Sequence, residues 1–150
     1  MNVAEVLTKD RIVLGLSAKT RDEAISKMVD RLYDGGVITD KKAFMDDVIA
    51  RENVCATGIG NGIAIPHGKS ANVNETAVIV ARLDGAVEWE SVDDEPVKFI
   101  VLLAVNENDK GSTHVRLLSQ MARKLASEET CKRLLNAPDA EEVVKIFSEE

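Results

Sequence analysis

Two long apolar segments constrain the fold of this chain more than any other feature. They cover residues 77–81 and 97–105, and Lys98 is the only charged residue in either of them. Runs with so little polar alternation are typical of strands that are covered on both faces. Such strands need helices on each side of their sheet, so the two segments predict an α/β protein.

Helical patterns flank these strands on both sides in the sequence. The first begins at a capping box, Thr20 to Glu23, and ends before Gly35 and Gly36. Apolar spacing predicts further helices over about residues 40–52, 112–125, 127–135 and 139–147. In the helix that begins near residue 112, the residues expected to face inward are Val115, Leu118, Met121, Ala122 and Leu125.

Two shorter strands complete the predicted order. They are expected at residues 11–14 and 63–65, and Asp84-Gly85 is expected to form the turn between the two long strands. The order is therefore one strand, two helices, three strands and three helices. It favours a three-layer α/β/α sandwich, built as a single domain over residues 1–150.

Composition argues against several classes of function. With 45% hydrophobic and 30% charged residues, the chain has the balance of a soluble globular domain. A net charge of −7 argues against nucleic-acid binding, and no apolar run reaches the roughly 18 residues of a membrane span. The N-terminal sequence lacks the pattern of a signal peptide, and two cysteines are too few for a disulfide framework. We therefore expect a cytoplasmic protein without membrane insertion.

The glycine-rich segment at residues 57–68 carries the strongest functional signal. Glycine lets backbone N–H groups approach a ligand closely, while Pro66 fixes its own φ and biases Ile65 toward extended geometry. The segment predicts a stiff platform that delivers the imidazole of His67 to the end of a strand. An imidazole near neutral pH can serve as a nucleophile, a proton carrier or a metal ligand. The residues expected to form the platform or to cradle phosphate are Thr57, Gly58, Gly60, Gly62 and Gly68.

Sequence motifs for nucleotide and zinc chemistry are absent. There is no Gly-x-x-x-x-Gly-Lys-Ser/Thr, and the alternating glycines do not have the Gly-x-Gly-x-x-Gly spacing of a dinucleotide site. Neither His-Glu-x-x-His nor Cys-x-x-Cys occurs. We therefore expect no cofactor and no metal ion.

His114, the second histidine, admits two interpretations. It lies in the first turn of a predicted helix, and its helical neighbours Leu118, Met121 and Leu125 place it on the inward face. It could be a buried histidine that donates to a backbone carbonyl. It could instead serve a phosphate, because a helix N-terminus offers unpaired N–H groups and a partial positive charge.

Arg51, Thr57 and the cysteines can also be explained by structural roles. Arg51 could complement the C-terminus of its helix, or could hold a phosphoryl group beside His67 with its forked guanidinium. The Thr57 hydroxyl could simply form a turn. A nucleophilic pair of Cys55 and His67 lacks an identifiable third residue, and both Cys55 and Cys131 are better explained as small core residues.

These motifs together resemble the enzyme IIA domain of the fructose/mannitol class in the bacterial phosphoenolpyruvate-dependent sugar phosphotransferase system. The fold of that family, a three-layer α/β/α sandwich around a mixed sheet, agrees with the predicted element order. The resemblance extends over essentially the whole chain. It is carried by Arg51-Glu52, residues 57–62, residues 64–68, the turn at residues 93–97 that leads into the long apolar strand, and His114 with the helix after it.

The resemblance implies a phosphoryl carrier. The phosphocarrier HPr would donate a phosphoryl group to His67, which would pass it through Nε2 to a cysteine of an enzyme IIB, with a IIC component in the membrane. The matching positions place Arg51 and His114 beside the active histidine. An attacking imidazole must be neutral, so we expect an acceptor at its other nitrogen, and a shallow apolar ring around His67 where partners dock.

Alternative functions remain open at this stage. A regulatory branch of the same family, linked to nitrogen metabolism, shares the glycine platform and the histidine. The sequence around Val87-Glu88-Trp89 and Pro96-Val97 is nearer the fructose type. Outside this family, the chain could be a binding module in which His67 is never phosphorylated, or a hydrolase that uses both histidines.

Overall fold

The computed structural model describes residues 3–108 and 113–149 of the chain. The helices in these ranges are α1 (Val3–Val6), α2 (Arg21–Asp34), α3 (Lys41–Val54), α4 (Thr113–Leu125), α5 (Glu128–Asn136) and α6 (Ala140–Ser148). The strands are β1 (Ile12–Leu16), β2 (Gly58–Gly60), β3 (Ile63–Ala64), β4 (His67–Ser70), β5 (Ala77–Val87) and β6 (Val97–Asn106). No helix of the described residues has both the length and the apolar character needed to cross a membrane.

The strands form one mixed, six-stranded sheet with the two long apolar segments at its centre. Its order is β1-β5-β6-β3-β2, and β4 also pairs with β6. β5 and β6 are antiparallel, β1 is parallel to β5, and β3 and β4 are parallel to β6. The apolar sequence of the central strands is explained by this position, because both of their faces are covered.

β3 and β4 are two parts of one interrupted strand along β6. Ile63 pairs with Phe99 and His67 pairs with Leu103, so the register continues unchanged across residues 65–66. Within the gap, the backbone N–H of Leu103 donates to the carbonyl of Pro66 at 3.0 Å. Proline has no N–H to offer a ladder, so the strand is interrupted there but keeps its alignment.

Two hydrophobic cores lie on opposite faces of the sheet. On β6, Phe99, Val101 and Leu103 belong to the core that packs against α1, α4, α5 and α6. The alternate residues Ile100 and Leu102 belong to the core beneath α2 and α3. This alternation follows the two-residue period of a strand. The predicted three-layer α/β/α sandwich is therefore confirmed.

Four of the five predicted helix starts are confirmed by side-chain caps. Thr20 accepts from the N–H of Glu23, and Asp40, Ser127 and Asp139 cap α3, α5 and α6 in the same manner. Each of these short polar side chains satisfies a backbone donor that has no partner within its helix. Local sequence therefore sets where these helices begin.

Three details of the predicted order differ in the structure. α1, β2 and β4 were not predicted, because they are short and carry no clear apolar period. Asp84-Gly85 does not end its strand: β5 continues to Val87, and only its register with β6 shifts there. On α4, Val115 is exposed and Leu117 is fully buried, so the predicted inward face is rotated.

Arg82 joins the sheet to the end of α5. Its Nη1 group lies 3.1 Å from the carbonyl oxygen of Leu134 and 2.8 Å from that of Ala137, and it also approaches the carbonyl of Leu135. The last carbonyls of a helix have no partner within the helix and carry a partial negative charge. A guanidinium from the neighbouring strand satisfies them in this protein.

Replacing Arg82 with Met should lower the free energy of unfolding by about 1–3 kcal/mol, because partly buried carbonyls would lose a charged donor. Urea unfolding followed by circular dichroism measures the change. Lys42→Met is the matched control: its ion pair with Asp46 is exposed, so no measurable change is expected. Equal losses in both variants would contradict a capping role for Arg82.

Candidate functional site

His67 stands at the start of β4 with its ring orientation fixed by the chain just before it. The ring is half-buried, and Nδ1 lies 3.1 Å from the carbonyl oxygen of Ile65. A carbonyl oxygen can only accept, so Nδ1 is the donor, and in the neutral ring the lone pair is on Nε2. The acceptor expected at the second ring nitrogen is therefore present.

The strand also determines which face of the sheet His67 occupies. A Cβ added at the next residue, Gly68, would lie 3.0 Å from side-chain atoms of Phe44 and Val48, so position 68 faces α3. Successive strand residues point to opposite faces. His67 therefore lies on the face that carries α4, the helix that contains His114. It begins a strand, whereas the sequence predicted that it would end one.

A buried carboxylate lies beneath the glycine segment. Glu52, near the end of α3, is 3% exposed and accepts from the N–H of Thr57 at 2.7 Å and from its hydroxyl at 2.6 Å. The indole Nε1 of Trp89 donates to the same carboxylate at 3.0 Å. Both donors of Thr57 are thus used within the protein. Trp89 packs in the core and also anchors the segment that follows β5.

Gly58 and Gly60 allow two segments of the chain to lie in close contact. A Cβ at Gly58 would fall 2.5 Å from the carbonyl oxygen of Glu90 and 2.8 Å from the Cβ of Ser91. Gly60 has a φ of +97°, and a Cβ there would lie 3.3 Å from the carboxylate of Asp93. Close approach and a left-handed backbone both require glycine. These contacts account for two of the platform glycines without a ligand.

The turn between β2 and β3 is held by Asp93. Asn61 and Gly62, the two residues between these strands, both have positive φ, as a tight hairpin requires. The N–H of Asn61 donates to the Asp93 carboxylate at 3.0 Å, and Glu95 and Ser91 also donate to it. These hydrogen bonds, with that from Asn61 first, hold the pKa of Asp93 below its ordinary value. Residues 91–95 therefore brace the platform from one side.

Arg51 lies at the end of α3, and its guanidinium caps that helix. Nη1 donates to the carbonyl of Cys55 at 3.1 Å. This contact matches the structural interpretation of Arg51 as a cation at a helix C-terminus. A guanidinium has five N–H donors, so one capping bond is compatible with a second role. A role in holding phosphate remains a prediction.

His114 is in the first turn of α4, as the sequence predicted, but its side chain lies outside the described residues. The predicted neighbours of that side chain are described: Met121 and Leu125 are buried and Leu118 is half-buried. The hydrogen-bonding role of His114 therefore remains a prediction.

Neither cysteine forms a catalytic pair with His67 among the contacts described. Cys131 is buried and its thiol donates to the carbonyl of Leu125 at 3.2 Å, while Cys55 is exposed, not a core residue as predicted. Among residues 3–108 and 113–149, no three His, Cys, Asp or Glu side chains converge as metal ligands would.

Comparisons with known proteins identify the family. A family model described as phosphoenolpyruvate-dependent sugar phosphotransferase system, EIIA 2, matches residues 5–150. The chain is 35% identical over 150 residues to the 2-O-alpha-mannosyl-D-glycerate-specific EIIABC component of Escherichia coli (strain K12). It is 34% identical over 149 residues to the fructose-specific EIIABC component of Bacillus subtilis (strain 168). Each match covers 99% of this chain and 23% of the relative.

Shorter proteins match over their whole length. The mannitol-specific phosphotransferase enzyme IIA component of Staphylococcus aureus (strain Mu50 / ATCC 700699) is 34% identical over 150 residues, with 98% of both chains covered. The crystal structure of nitrogen regulatory protein IIA-Ntr from Neisseria meningitidis superposes with a TM-score of 0.90 at 29% identity, covering 97% of this chain and 99% of that one. Their similarity to this chain therefore extends over the complete fold.

The chain belongs to the EIIA type 2 family of the phosphoenolpyruvate-dependent sugar phosphotransferase system. It is a phosphotransferase component of the phosphoryl-carrier kind. The resemblance noted in the sequence is confirmed, and the mixed sheet with helices on both faces is the fold of this family.

Replacing Gly58 with Ala should lower the free energy of unfolding by at least about 2 kcal/mol, because the added methyl would overlap backbone atoms of residues 90–91. Gly85→Ala is the matched control, since a Cβ at Gly85 meets nothing within 4 Å and the change should stay within about 0.5 kcal/mol. Thermal and urea unfolding measure both. A Gly58→Ala protein as stable as Gly85→Ala would contradict the close-packing explanation for Gly58.

Proposed function

We propose that this protein carries phosphoryl groups on His67 within a sugar phosphotransferase system. The Nε2 lone pair attacks the phosphorus of phospho-HPr, and the bond between phosphorus and the HPr histidine breaks. A cysteine thiolate of an enzyme IIB then attacks the same phosphorus, and the electron pair of the P–N bond returns to Nε2. The family and the placement of His67 both support this reaction.

The observation that carries the proposal is the hydrogen bond between His67 Nδ1 and the Ile65 carbonyl. It keeps the lone pair on Nε2, where attack on phosphorus requires it. When Nε2 bonds to phosphorus, the ring becomes cationic, and the same carbonyl oxygen then stabilises the charge at Nδ1–H. The bond therefore favours both the attacking form and the phosphorylated form of the ring.

Arg51 and His114 are proposed to orient the phosphoryl group and neutralise its charge without being phosphorylated. Phosphoryl transfer spreads charge over three oxygens, and catalysis consists mainly of positioning and electrostatic stabilisation. Arg51 has N–H donors beyond the one that caps α3. His114 follows a helix N-terminus on the same face of the sheet as His67. These positions support the proposed roles.

Donor and acceptor proteins are proposed to dock on exposed apolar side chains near the platform. Val92, in the segment braced against Gly60, is 80% exposed, and Val54, at the end of α3, is 81% exposed. Val115, beside His114, is 53% exposed. Exposed apolar side chains of this kind can be covered when a partner protein docks. We propose HPr as donor, IIB as acceptor with IIC in the membrane, and fructose-type sugars as the transported class.

A second candidate function is regulation linked to nitrogen metabolism. It is favoured by the TM-score of 0.90 to the IIA-Ntr structure. Transport requires that phosphorylated protein lose its phosphoryl group to a IIB cysteine. The two functions can be separated by adding IIB of the fructose type or of the mannitol type to the phosphorylated protein and measuring the loss of its label. Rapid transfer to either IIB supports transport, and transfer to neither supports regulation.

His67→Gln should abolish phosphorylation while leaving the fold intact, because glutamine cannot form a phosphoramidate. The protein is incubated with labelled phosphoenolpyruvate, enzyme I and HPr, and the bound label is counted. The label on the wild-type protein should be lost in acid and retained in alkali, as expected of phosphohistidine. Undiminished labelling of the variant, or an acid-stable label, would contradict the proposed function.

Arg51→Ala and His114→Ala should each slow phosphoryl transfer by about 10- to 1,000-fold, because each removes a charge-stabilising donor from the transition state. Single-turnover charging by phospho-HPr and discharge to IIB are measured separately. His114→Ala should still be charged but should discharge poorly. Transfer rates within about twofold of wild type for both variants would contradict a role for Arg51 and His114 in phosphoryl transfer. If His114→Ala accepts the phosphoryl group poorly from HPr but passes it to IIB at the wild-type rate, His114 would instead be assigned to HPr docking.

A further inference from the structure

We propose that Glu52 is a positioning residue that keeps the lone pair of His67 on Nε2. It acts through Thr57 and Ile65 and does not itself touch the imidazole. The effect of Glu52 on phosphoryl transfer rests on the proposed function. Its effect on the His67 tautomer follows from the hydrogen bonds alone and does not depend on that function.

The carboxylate of Glu52 is buried at a cost and must be held by donors. It is 3% exposed, and the partners described for it are the neutral donors of Thr57 and Trp89. Burial of a carboxylate in an apolar region is unfavourable unless hydrogen bonds compensate. A hydrophobic side chain in its place would leave the N–H and hydroxyl of Thr57 and the indole N–H of Trp89 without acceptors. What the carboxylate adds is a fixed position for the backbone of Thr57.

A continuous series of contacts leads from this carboxylate to the imidazole. Glu52 accepts the N–H of Thr57 at 2.7 Å, and the carbonyl of Thr57 accepts the N–H of Ile65 at 3.0 Å. The carbonyl of Ile65 then accepts from His67 Nδ1 at 3.1 Å. Each bond restrains the residue whose carbonyl makes the next one. The direction of the Ile65 carbonyl therefore depends on the position of Thr57.

The tautomer of His67 depends on that direction. If the Ile65 carbonyl turns away, Nδ1 loses its acceptor and the proton can move to Nε2. A ring with its proton on Nε2 cannot attack phosphorus through that atom. Pro66 follows directly and has no N–H to donate, so the backbone hydrogen bonds described on either side of this peptide are that of Ile65 N–H to Thr57 and that of Leu103 N–H to the Pro66 carbonyl. Position, and not negative charge, is the property that Glu52 must supply.

Two substitutions separate position from charge. In Glu52→Gln, the amide oxygen can accept from Thr57 N–H and Trp89 Nε1, while its NH₂ donates to the Thr57 hydroxyl oxygen. That variant removes the charge but keeps the geometry. Glu52→Asp keeps the charge, but its shorter side chain cannot hold the Thr57 donors in the same position.

The experiment measures the His67 tautomer and the transfer rate in the same variants. Nitrogen-15 NMR of the imidazole reports which ring nitrogen is protonated, and phospho-HPr charging reports the rate. The wild-type ring and Glu52→Gln should show protonated Nδ1, with rates within about threefold of each other. Glu52→Asp should show a ring protonated mainly on Nε2 and a rate about 100-fold lower, because only the small fraction of rings with the lone pair on Nε2 can attack. If Glu52→Asp does not fold, Thr57→Val replaces it and should show the same changes to a smaller degree.

Arg82→Met controls for lost stability, because it weakens the fold at α5 and should leave the tautomer and rate unaltered. A Glu52→Asp ring with protonated Nδ1 and a normal rate would overturn the inference, as would a reduced rate with an unaltered tautomer. The positioning role and the proposed function can also be separated. If Glu52→Asp changes the tautomer but HPr does not phosphorylate even the wild-type protein, the positioning role is supported and the proposed function is contradicted.

Discussion

The alignment of residues 63–70 along β6 is the constraint on which the site depends. β3 and β4 keep one register on either side of Ile65-Pro66, so the central strand fixes where the chain re-enters the sheet. His67 is the first residue after this interruption. Because β6 is buried on both faces, the position of the imidazole is set by a strand of the core.

Hydrogen bonds to two carboxylates, one of them buried, hold the glycine segment beside the sheet. Glu52 gathers donors from Thr57 and Trp89, which belong to segments far apart in the sequence. Asp93 does the same on the outer side of the β2–β3 turn. The glycines between them let these segments approach at distances that a Cβ would prevent. The platform is therefore a packed junction whose outer surface bears the reactive ring.

The residues proposed to act on the phosphoryl group come from both faces of the sheet. α3 supplies Glu52 and Arg51 from one side, while α4 brings His114 from the side on which His67 lies. A phosphoryl group needs neutralising donors around it and a surface on which two successive partners can dock. The exposed valines on or beside these elements offer apolar contact area for such a surface.

The sequence by itself determined the layers and most helix starts, and it singled out His67 as the candidate residue. Apolar runs, capping residues and helical periods are local signals, and each has a direct physical reading. It could not reveal that Glu52 binds Trp89, that the α4 face is rotated toward Leu117, or that Gly58 is required by Glu90. Those relations join residues far apart in the chain, and only tertiary packing decides which of them meet. The tautomer of His67 also required the structure, because it depends on where one carbonyl points.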